Sequence, residues 1–251
     1  MWSNWLDKFK RLRALDKQCR MYGAGEHHYQ LNAPLSMEAL QLQEMRLGFA
    51  LPEPLRAFYT EISNGGVGAA NGLFPAESLE GYRPTEPYPG VEFYRQLAAD
   101  LGDPPDESGY FEIPNGNFTG LLPIVHLGCG HEACLVTSGK IDKGWVTVSA
   151  DGCVYESNET MVDWFEACLD GEIERFEVLQ ELMFAGRSYE QIDSEMRARF
   201  GDYQVGDRIA SFADVPFPEE LFGTVHWKIH HGATQFPWYR NVLKEWQAKN
   251  L

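Results

Sequence analysis

One stretch of the chain, Leu121 to Gly171, alternates short apolar runs with glycine-containing turns and then changes to an amphipathic pattern. Short runs rich in Val, Ile, Leu, Thr and aromatic residues, bounded by Gly and Asp, are typical of successive antiparallel strands. The sequence therefore predicts a meander of strands in the middle of the chain. The predicted strands are Leu121–Leu127, Ala133–Thr137, Trp145–Ser149 and Val154–Glu156.

A helix is predicted directly after the last strand. Ser157 or Asn158 can cap it, because hydroxyl and amide oxygens accept hydrogen bonds from the first free N–H groups of a helix. Gly171 is predicted to end it. Its apolar residues recur at helical spacing and its other face is acidic; the first set is Met161, Phe165, Cys168 and Leu169, and the second is Asp163, Glu166 and Asp170.

The segments on either side of this stretch are mainly helical. Apolar residues from Trp2 to Leu15 recur at helical spacing with Lys and Arg between them, so a basic amphipathic helix is predicted there, which docks on its own domain or lies on a membrane surface. Further helices are predicted from Ser36 to Leu47, after Pro52 and around 91–101, with proline-containing loops between them. A capping box at Ser188–Gln191 and apolar spacing after Pro237 predict a helical tail.

The net charge limits the classes of partner. A formal charge of −16 argues against nucleic acid as a direct ligand, because phosphate binding requires a basic surface. It favours attraction to a basic protein, with solubility as the alternative explanation. The charge is uneven, since Ala150–Phe200 holds 13 acidic residues and 4 Arg, whereas Asp7–Arg20 holds 6 basic and 2 acidic residues.

Cysteine usage bears on the compartment. Five cysteines form no even-numbered disulfide framework, and no apolar run near the start is long enough for a secretory signal. Reduced thiols and a cytoplasmic location are the expectation. No span of the membrane is predicted, and the oligomeric state stays open.

A second stretch carries a resemblance to a known family. The run EMRLGFALPEPLRAFY, Glu44 to Tyr59, is followed by Asn64-Gly65-Gly66. This order of Glu, Leu-Gly, Leu-Pro, an apolar helix and Asn-Gly-Gly resembles the opening of the SUKH superfamily (Smi/Knr-type domain). The later strands and a closing helix with Trp-Phe also fit, over roughly residues 36–171. The residues that match the family's structural motif are Gly48, Leu51, Pro52, Asn64, Gly65, Gly66, Trp145 and Trp164.

The resemblance implies an α+β fold in which helices flank one curved, mostly antiparallel sheet. It also implies a non-enzymatic, protein-binding role without a cofactor, since members include bacterial immunity proteins that neutralise a toxin (often a nuclease) and fungal regulators of cell-wall synthesis. We therefore expect three parts: an N-terminal helix and loop over 1–35, a SUKH-like domain over 36–171, and a mainly helical extension over 172–251 that packs on it. The alternative is a regulatory or scaffold protein without a toxin partner.

Three clusters of candidate site residues remain. Acidic side chains on the predicted helices after the sheet could form one negative surface for a basic toxin domain, although a charge run is usually a solvated face; these are Asp163, Glu166, Asp170, Glu174 and Glu177. Imidazole and thiolate are good zinc ligands, so a metal-dependent enzyme is a further alternative, with His126, Cys129, His131 and Cys134 as ligands. A histidine cluster near the C-terminus could also supply ligands or a base: His226, His230 and His231.

Overall fold

The computed structural model describes residues 2–21, 23–67, 70–107, 110–113, 118–128, 130–139, 145–148, 154–157, 159–201, 205–212 and 237–251. They form two compact units. The first consists of Met1–Leu6 and Tyr22–Cys168, and the second of Asp7–Met21 and Leu169–Leu251.

The predicted meander of strands is confirmed, and the chain is of the α+β class. The strands β1 (Leu121–Gly128), β2 (His131–Val136), β3 (Trp145–Val148) and β4 (Val154–Ser157) pair antiparallel with their neighbours in sequence order. Isolated bridges continue this sheet past β1, since Val125 pairs with Leu73, Leu73 with Gly66, and Gly66 with Leu31.

The helices that precede the sheet follow the predicted order. Ser36 caps the third of them by accepting a hydrogen bond from Ala39 N at 3.2 Å, and Gly48 ends it with a φ of 83°. Their bounds are α1 (Trp2–Leu15), α2 (Ala24–His27), α3 (Met37–Leu47), α4 (Glu53–Ala57) and α5 (Val91–Asp100). A π-helical turn, Phe58–Ile62, continues α4, and a 3₁₀ turn lies at Ala76–Ser78.

Aromatic side chains fill the first unit. One face of the sheet contributes Cys134, Val146 and Val148 to a hydrophobic core. The same core contains aromatic residues of α5 and of the loops before and after α5. A second group of rings packs edge to face: Phe58 lies 4.9 Å from Trp2 and 5.2 Å from Trp5, measured between ring centroids. These residues are almost fully buried, and so they hold the unit together chiefly by the removal of apolar surface from water.

The second unit is helical. It contains most of α6 (Met161–Phe184), together with α7 (Tyr189–Phe200), α8 (Val205–Ala210) and α9 (Pro237–Asn250). The predicted capping box of α7 is confirmed, with Ser188 and Gln191 bonded in both directions. The helix α8 was not among the predicted helices. The core of this unit is built by Leu179, Met183, Tyr189, Ile192, Met196, Val205, Ile209, Val242, Leu243 and Trp246.

The prediction that Gly171 ends the helix after the sheet is wrong. The helix α6 continues through Gly171 and is 24 residues long in all. Leu169 and Ile173 are both buried on either side of Gly171, so the apolar stripe continues in phase through the glycine. Burial of that stripe outweighs the roughly 1 kcal/mol that glycine costs in a helix interior relative to alanine.

No helix within the described ranges is both long and apolar enough to cross a membrane.

Candidate partner-binding surface

The five carboxylates predicted to bind a partner all lie on α6, and we call them the acidic stripe: Asp163, Glu166, Asp170, Glu174 and Glu177. Steps of seven, four and three residues separate Asp163, Asp170, Glu174 and Glu177, so these four share one face of the helix. The first three of these four are exposed, and Glu177 is half-buried. The structure therefore brings the predicted residues together on one continuous helix.

Basic side chains of the same chain already bind part of this stripe. Lys8 Nζ lies 2.8 Å from Asp170 Oδ2, and Arg11 forms an ion pair with Glu177. From α7, Arg199 Nη2 lies 2.7 Å from Glu174 Oε1. These contacts show that cationic groups fit against this face at hydrogen-bonding distance.

The docking of the basic helix α1 on its own chain is confirmed. Its apolar stripe is almost fully buried, with Trp2, Trp5, Phe9 and Leu12 each at most 3% exposed. Asn4 also donates a hydrogen bond of 2.7 Å to Glu166 Oε2. Because the apolar stripe of α1 is buried, it is not available to a membrane surface.

Asp163 has a different environment from the other members of the stripe. Thr160, and not Ser157, caps α6, because Thr160 Oγ1 accepts a hydrogen bond from Asp163 N at 3.2 Å. Thr160 Oγ1 in turn donates to Asp163 Oδ2 at 2.6 Å. Asn158, the other predicted cap, lies outside the described residues. Among the residues with described positions, no cation pairs with Asp163, so its negative charge is the most available of the five.

A sixth carboxylate of α6 serves the fold. Glu172 binds Arg208 Nη2 at 2.9 Å and Arg175 Nη1 at 2.7 Å. The side chains of Glu172 and Arg208 are only 18% and 12% exposed. Buried charges of this kind must be paired to be tolerated, and so Glu172 acts inside the second unit and not at its surface.

The Leu-Gly/Leu-Pro part of the family motif surrounds a buried carboxylate. Glu44 Oε1 accepts a hydrogen bond from Leu51 N at 2.8 Å and lies 3.0 Å from Arg56 Nε. Gly48 supplies the left-handed turn that returns the chain to Glu44, and Pro52 starts α4. These residues thus fix the connection between α3 and α4.

The Asn-Gly-Gly part of the motif lies in close contact with two other segments of the chain, one at Gln30 and one at Pro75–Glu77. Asn64 Oδ1 accepts from Ala76 N at 2.9 Å, and Asn64 Nδ2 donates to Glu77 at 2.8 Å. A Cβ on Gly65 would lie 2.7 Å from Pro75 N, and one on Gly66 would lie 2.7 Å from Gln30 O. Side chains are therefore excluded at both glycines, which also have positive φ.

The two tryptophans of the motif lie on the sheet and the helix that follows it. Trp145 is on β3, where its backbone pairs with Leu135 on one side and Ser157 on the other. Trp164 on α6 packs edge to face against Phe165, with ring centroids 5.3 Å apart.

Three of the four candidate metal ligands of the sheet are described: His126 lies on β1, and His131 and Cys134 lie on β2. His126 Nδ1 lies 3.0 Å from Asn71 Nδ2. Burial, and secondarily the charge of Glu132, raises the pKa of the Cys134 thiol well above its usual value. Cys129 lies outside the described residues, as do His226, His230 and His231. Within the described part of the chain, no group of three His, Cys, Asp or Glu residues is arranged to hold a metal ion.

Two carboxylates on the sheet were not singled out from the sequence. Glu156 Oε1 accepts hydrogen bonds from Tyr88 Oη at 2.8 Å and from Val91 N at 2.7 Å, so it caps α5 from β4. Tyr82 Oη donates to Glu132 at 2.8 Å. Burial, then the bonded carboxylates, raises the pKa of both tyrosines. These contacts cross more than 45 residues, and only tertiary structure could reveal them.

An exposed apolar surface on α3 was not predicted from the sequence. Leu42 and Met45 are 60% and 69% exposed. The sequence does carry a signal for it, because these two residues lie on a different face of the helix from Leu40 and Leu47.

Comparison with known protein families identifies a match over much of the chain. A family model described as the SMI1 / KNR4 family (SUKH-1) matches residues 34–167, which is just over half of the chain. No curated protein matches the chain significantly.

Proposed function

Because this chain belongs to the SMI1 / KNR4 family (SUKH-1), we propose that it acts by binding another protein and not by catalysis. More specifically, we propose that it is an immunity protein, which neutralises a cognate toxin by binding over its surface. The target is a basic domain, such as a nuclease. The location that we propose is cytoplasmic, in keeping with five cysteines that form no even-numbered framework.

The observation that carries this proposal is the acidic stripe of α6. Lys8, Arg11 and Arg199 bind three of its carboxylates within the chain. A basic partner would meet Asp163 and the exposed Glu181 directly and would compete with the internal cations for the rest. Its association would be electrostatically steered, and therefore fast at low salt and slower at high salt.

The family motif supports the same conclusion from another direction. The polar groups of Glu44 and Asn64 are hydrogen-bonded within the fold, to backbone N–H groups and to Arg56 and Glu77. The residues that define the family therefore build the scaffold, which leaves the surface for a partner.

The test is an affinity pull-down of the tagged chain from its native lysate at low and at high salt. We expect one basic protein at low salt and its depletion at high salt. The variant with Asp163→Lys, Glu166→Lys and Asp170→Lys should lose that protein. The matched control, Asp103→Lys with Glu107→Lys and Glu195→Lys, changes the net charge equally at exposed positions and should retain it.

Recovery of nothing would contradict the immunity function. Recovery of several unrelated proteins regardless of salt would favour the alternative, a regulatory protein of the same family. Retention of the basic protein by the stripe variant would show that the partner binds elsewhere.

A further inference from the structure

The helix α3 differs from an ordinary surface helix because it buries a carboxylate and exposes two large apolar side chains. Its inward face holds Leu40, which is fully buried, and Glu44, which is 9% exposed. Its outward face holds Leu42 and Met45, three residues apart and therefore adjacent on the helix surface. Glu38 lies one turn before Leu42, and we call Glu38, Leu42 and Met45 the α3 stripe. All three side chains are exposed.

The inward charge has a structural reason, whereas the outward apolar pair is mostly exposed to water. Glu44 is held by Leu51 N and Arg56, so the fold depends on a carboxylate at that position. Leu42 and Met45 leave most of their surface in water and gain little for the fold. Adjacent exposed apolar side chains with polar neighbours mark interaction surfaces, and methionine adapts well to a partner.

The charges around α3 determine which partner fits. Residues 36–80 contain six Glu and two Arg, with no Lys and no Asp. Arg46 Nη2 donates to Leu79 O at 2.9 Å and to Ala76 O, and Arg56 pairs with Glu44, so with six Glu and two Arg the segment keeps a net charge of −4. Hydrogen bonds from the backbone and from Ser36 lower the pKa of Glu38 and so keep it charged. A second copy of this chain would bring like charges together, whereas a cationic partner would be attracted.

We propose that the α3 stripe is the docking surface for a cationic amphipathic helix of the partner protein. Leu42 and Met45 pack against the apolar face of that helix, and Glu38 pairs with a Lys or Arg at its margin. This inference rests on the proposed function and adds a contact surface to it. The acidic stripe supplies the charge that steers association, and the α3 stripe supplies the apolar contact that slows dissociation.

The test uses three synthetic helical peptides and fluorescence anisotropy. The first is an amphipathic Lys/Leu helix, the second has the same composition in scrambled order, and the third replaces Lys by Glu. We expect the full chain to bind the first peptide at least about tenfold more tightly than the second, because only the first presents a continuous apolar face. The variant with Leu42→Gln and Met45→Gln should lose that preference.

The matched control removes equal apolar exposure elsewhere. Leu101 and Leu251 are 57% and 69% exposed, so the variant with Leu101→Gln and Leu251→Gln should behave like the wild type. Any of three results would overturn the proposal. These are equal binding of the ordered and scrambled Lys/Leu peptides, tighter binding of the peptide in which Glu replaces Lys, and an equal loss of the preference in both variants. A wild-type dimer in sedimentation velocity that dissociates in the Leu42→Gln, Met45→Gln variant would also overturn it, in favour of a second copy as the occupant.

Failure of this inference differs from failure of the proposed function. If the pull-down recovers a basic protein equally with the wild type and with the Leu42→Gln, Met45→Gln variant, the function stands and the α3 stripe is not its surface. If the wild type recovers no protein but discriminates the peptides, the α3 stripe stands as a docking surface and the immunity function fails.

Discussion

The helices α3 and α6 differ in which side chains they bury and which they expose. In α6, buried residues such as Phe165, Phe176 and Leu179 form one stripe, and the acidic stripe faces outward. In α3, a carboxylate is buried and two large apolar side chains are exposed. The difference separates residues that the fold requires from residues that it merely tolerates.

The same comparison applies to charge. The outward carboxylates of α6 are partly neutralised by cations of α1 and α7, while the inward carboxylate of α3 is fully engaged by Leu51 N and Arg56. Each helix therefore keeps one set of outward side chains that the described residues leave exposed. These are Asp163 and Glu181 on α6, and Leu42 and Met45 on α3.

The largest expected effect contrasts the apolar residues of the two helices. Phe176→Ala removes a fully buried ring from α6 and should lower the free energy of unfolding by about 3–5 kcal/mol. Leu42→Ala on α3 should change it by less than about 0.5 kcal/mol, because the side chain is already mostly in water. Urea unfolding of both variants measures this contrast. Similar losses in the two would mean that Leu42 is part of the core.

A smaller effect is expected for the inward carboxylate of α3. Glu44→Ala removes the acceptor of the buried Leu51 N–H and the partner of Arg56, and we expect a loss of about 2–3 kcal/mol. Glu44→Gln keeps an acceptor for Leu51 N–H and should lose about half as much. Gln41→Ala, at an exposed position of the same helix, is the control. If thermal unfolding gives the same stability for all three variants, Glu44 is dispensable for the stability of the fold.

A substitution within α6 should stabilise the protein. Gly171→Ala should raise the free energy of unfolding by about 0.5–1 kcal/mol, since alanine loses less backbone entropy in a helix. The new Cβ would lie 3.4 Å from Arg175 Nη1, which is an ordinary van der Waals contact. A decrease in the unfolding midpoint would show that this contact with Arg175 cannot relax.

The smallest effect concerns the internal ion pair of the acidic stripe. The side chains of Lys8 and Asp170 are 22% and 56% exposed. A double-mutant cycle with Lys8→Ala and Asp170→Ala should give a coupling energy of about 0.5 kcal/mol that falls with added salt. A coupling of several kcal/mol would mean that this pair is a structural clamp and that Asp170 is not available to a partner.

The sequence predicted the sheet well because its strands are short apolar runs bounded by Gly128, Gly130 and Gly139, all of which adopt positive φ. The prediction that the helix ends at Gly171 was wrong, because the local helix-ending signal competes there with an apolar stripe that extends for several more turns. The caps at Ser36 and Ser188 were predictable because their partners are three residues away.

The surfaces were harder to predict than the elements. The acidic residues of α6 could be placed on one face from their spacing, but their pairing with Lys8 and Arg11 spans more than 160 residues of sequence. In α3, Leu40 and Leu47 define one face and Leu42 and Met45 another. The buried hydrogen bond between Leu51 N and Glu44 identifies which face turns inward, and spacing alone contains no such information.

The most direct test of this account is to measure stability and binding together in the Leu42→Gln, Met45→Gln variant. The account predicts an unfolding free energy equal to that of the wild type, together with at least about tenfold faster dissociation from the basic protein recovered in the pull-down. Loss of stability with dissociation unchanged would contradict it, because Leu42 and Met45 would then serve the fold and not a partner.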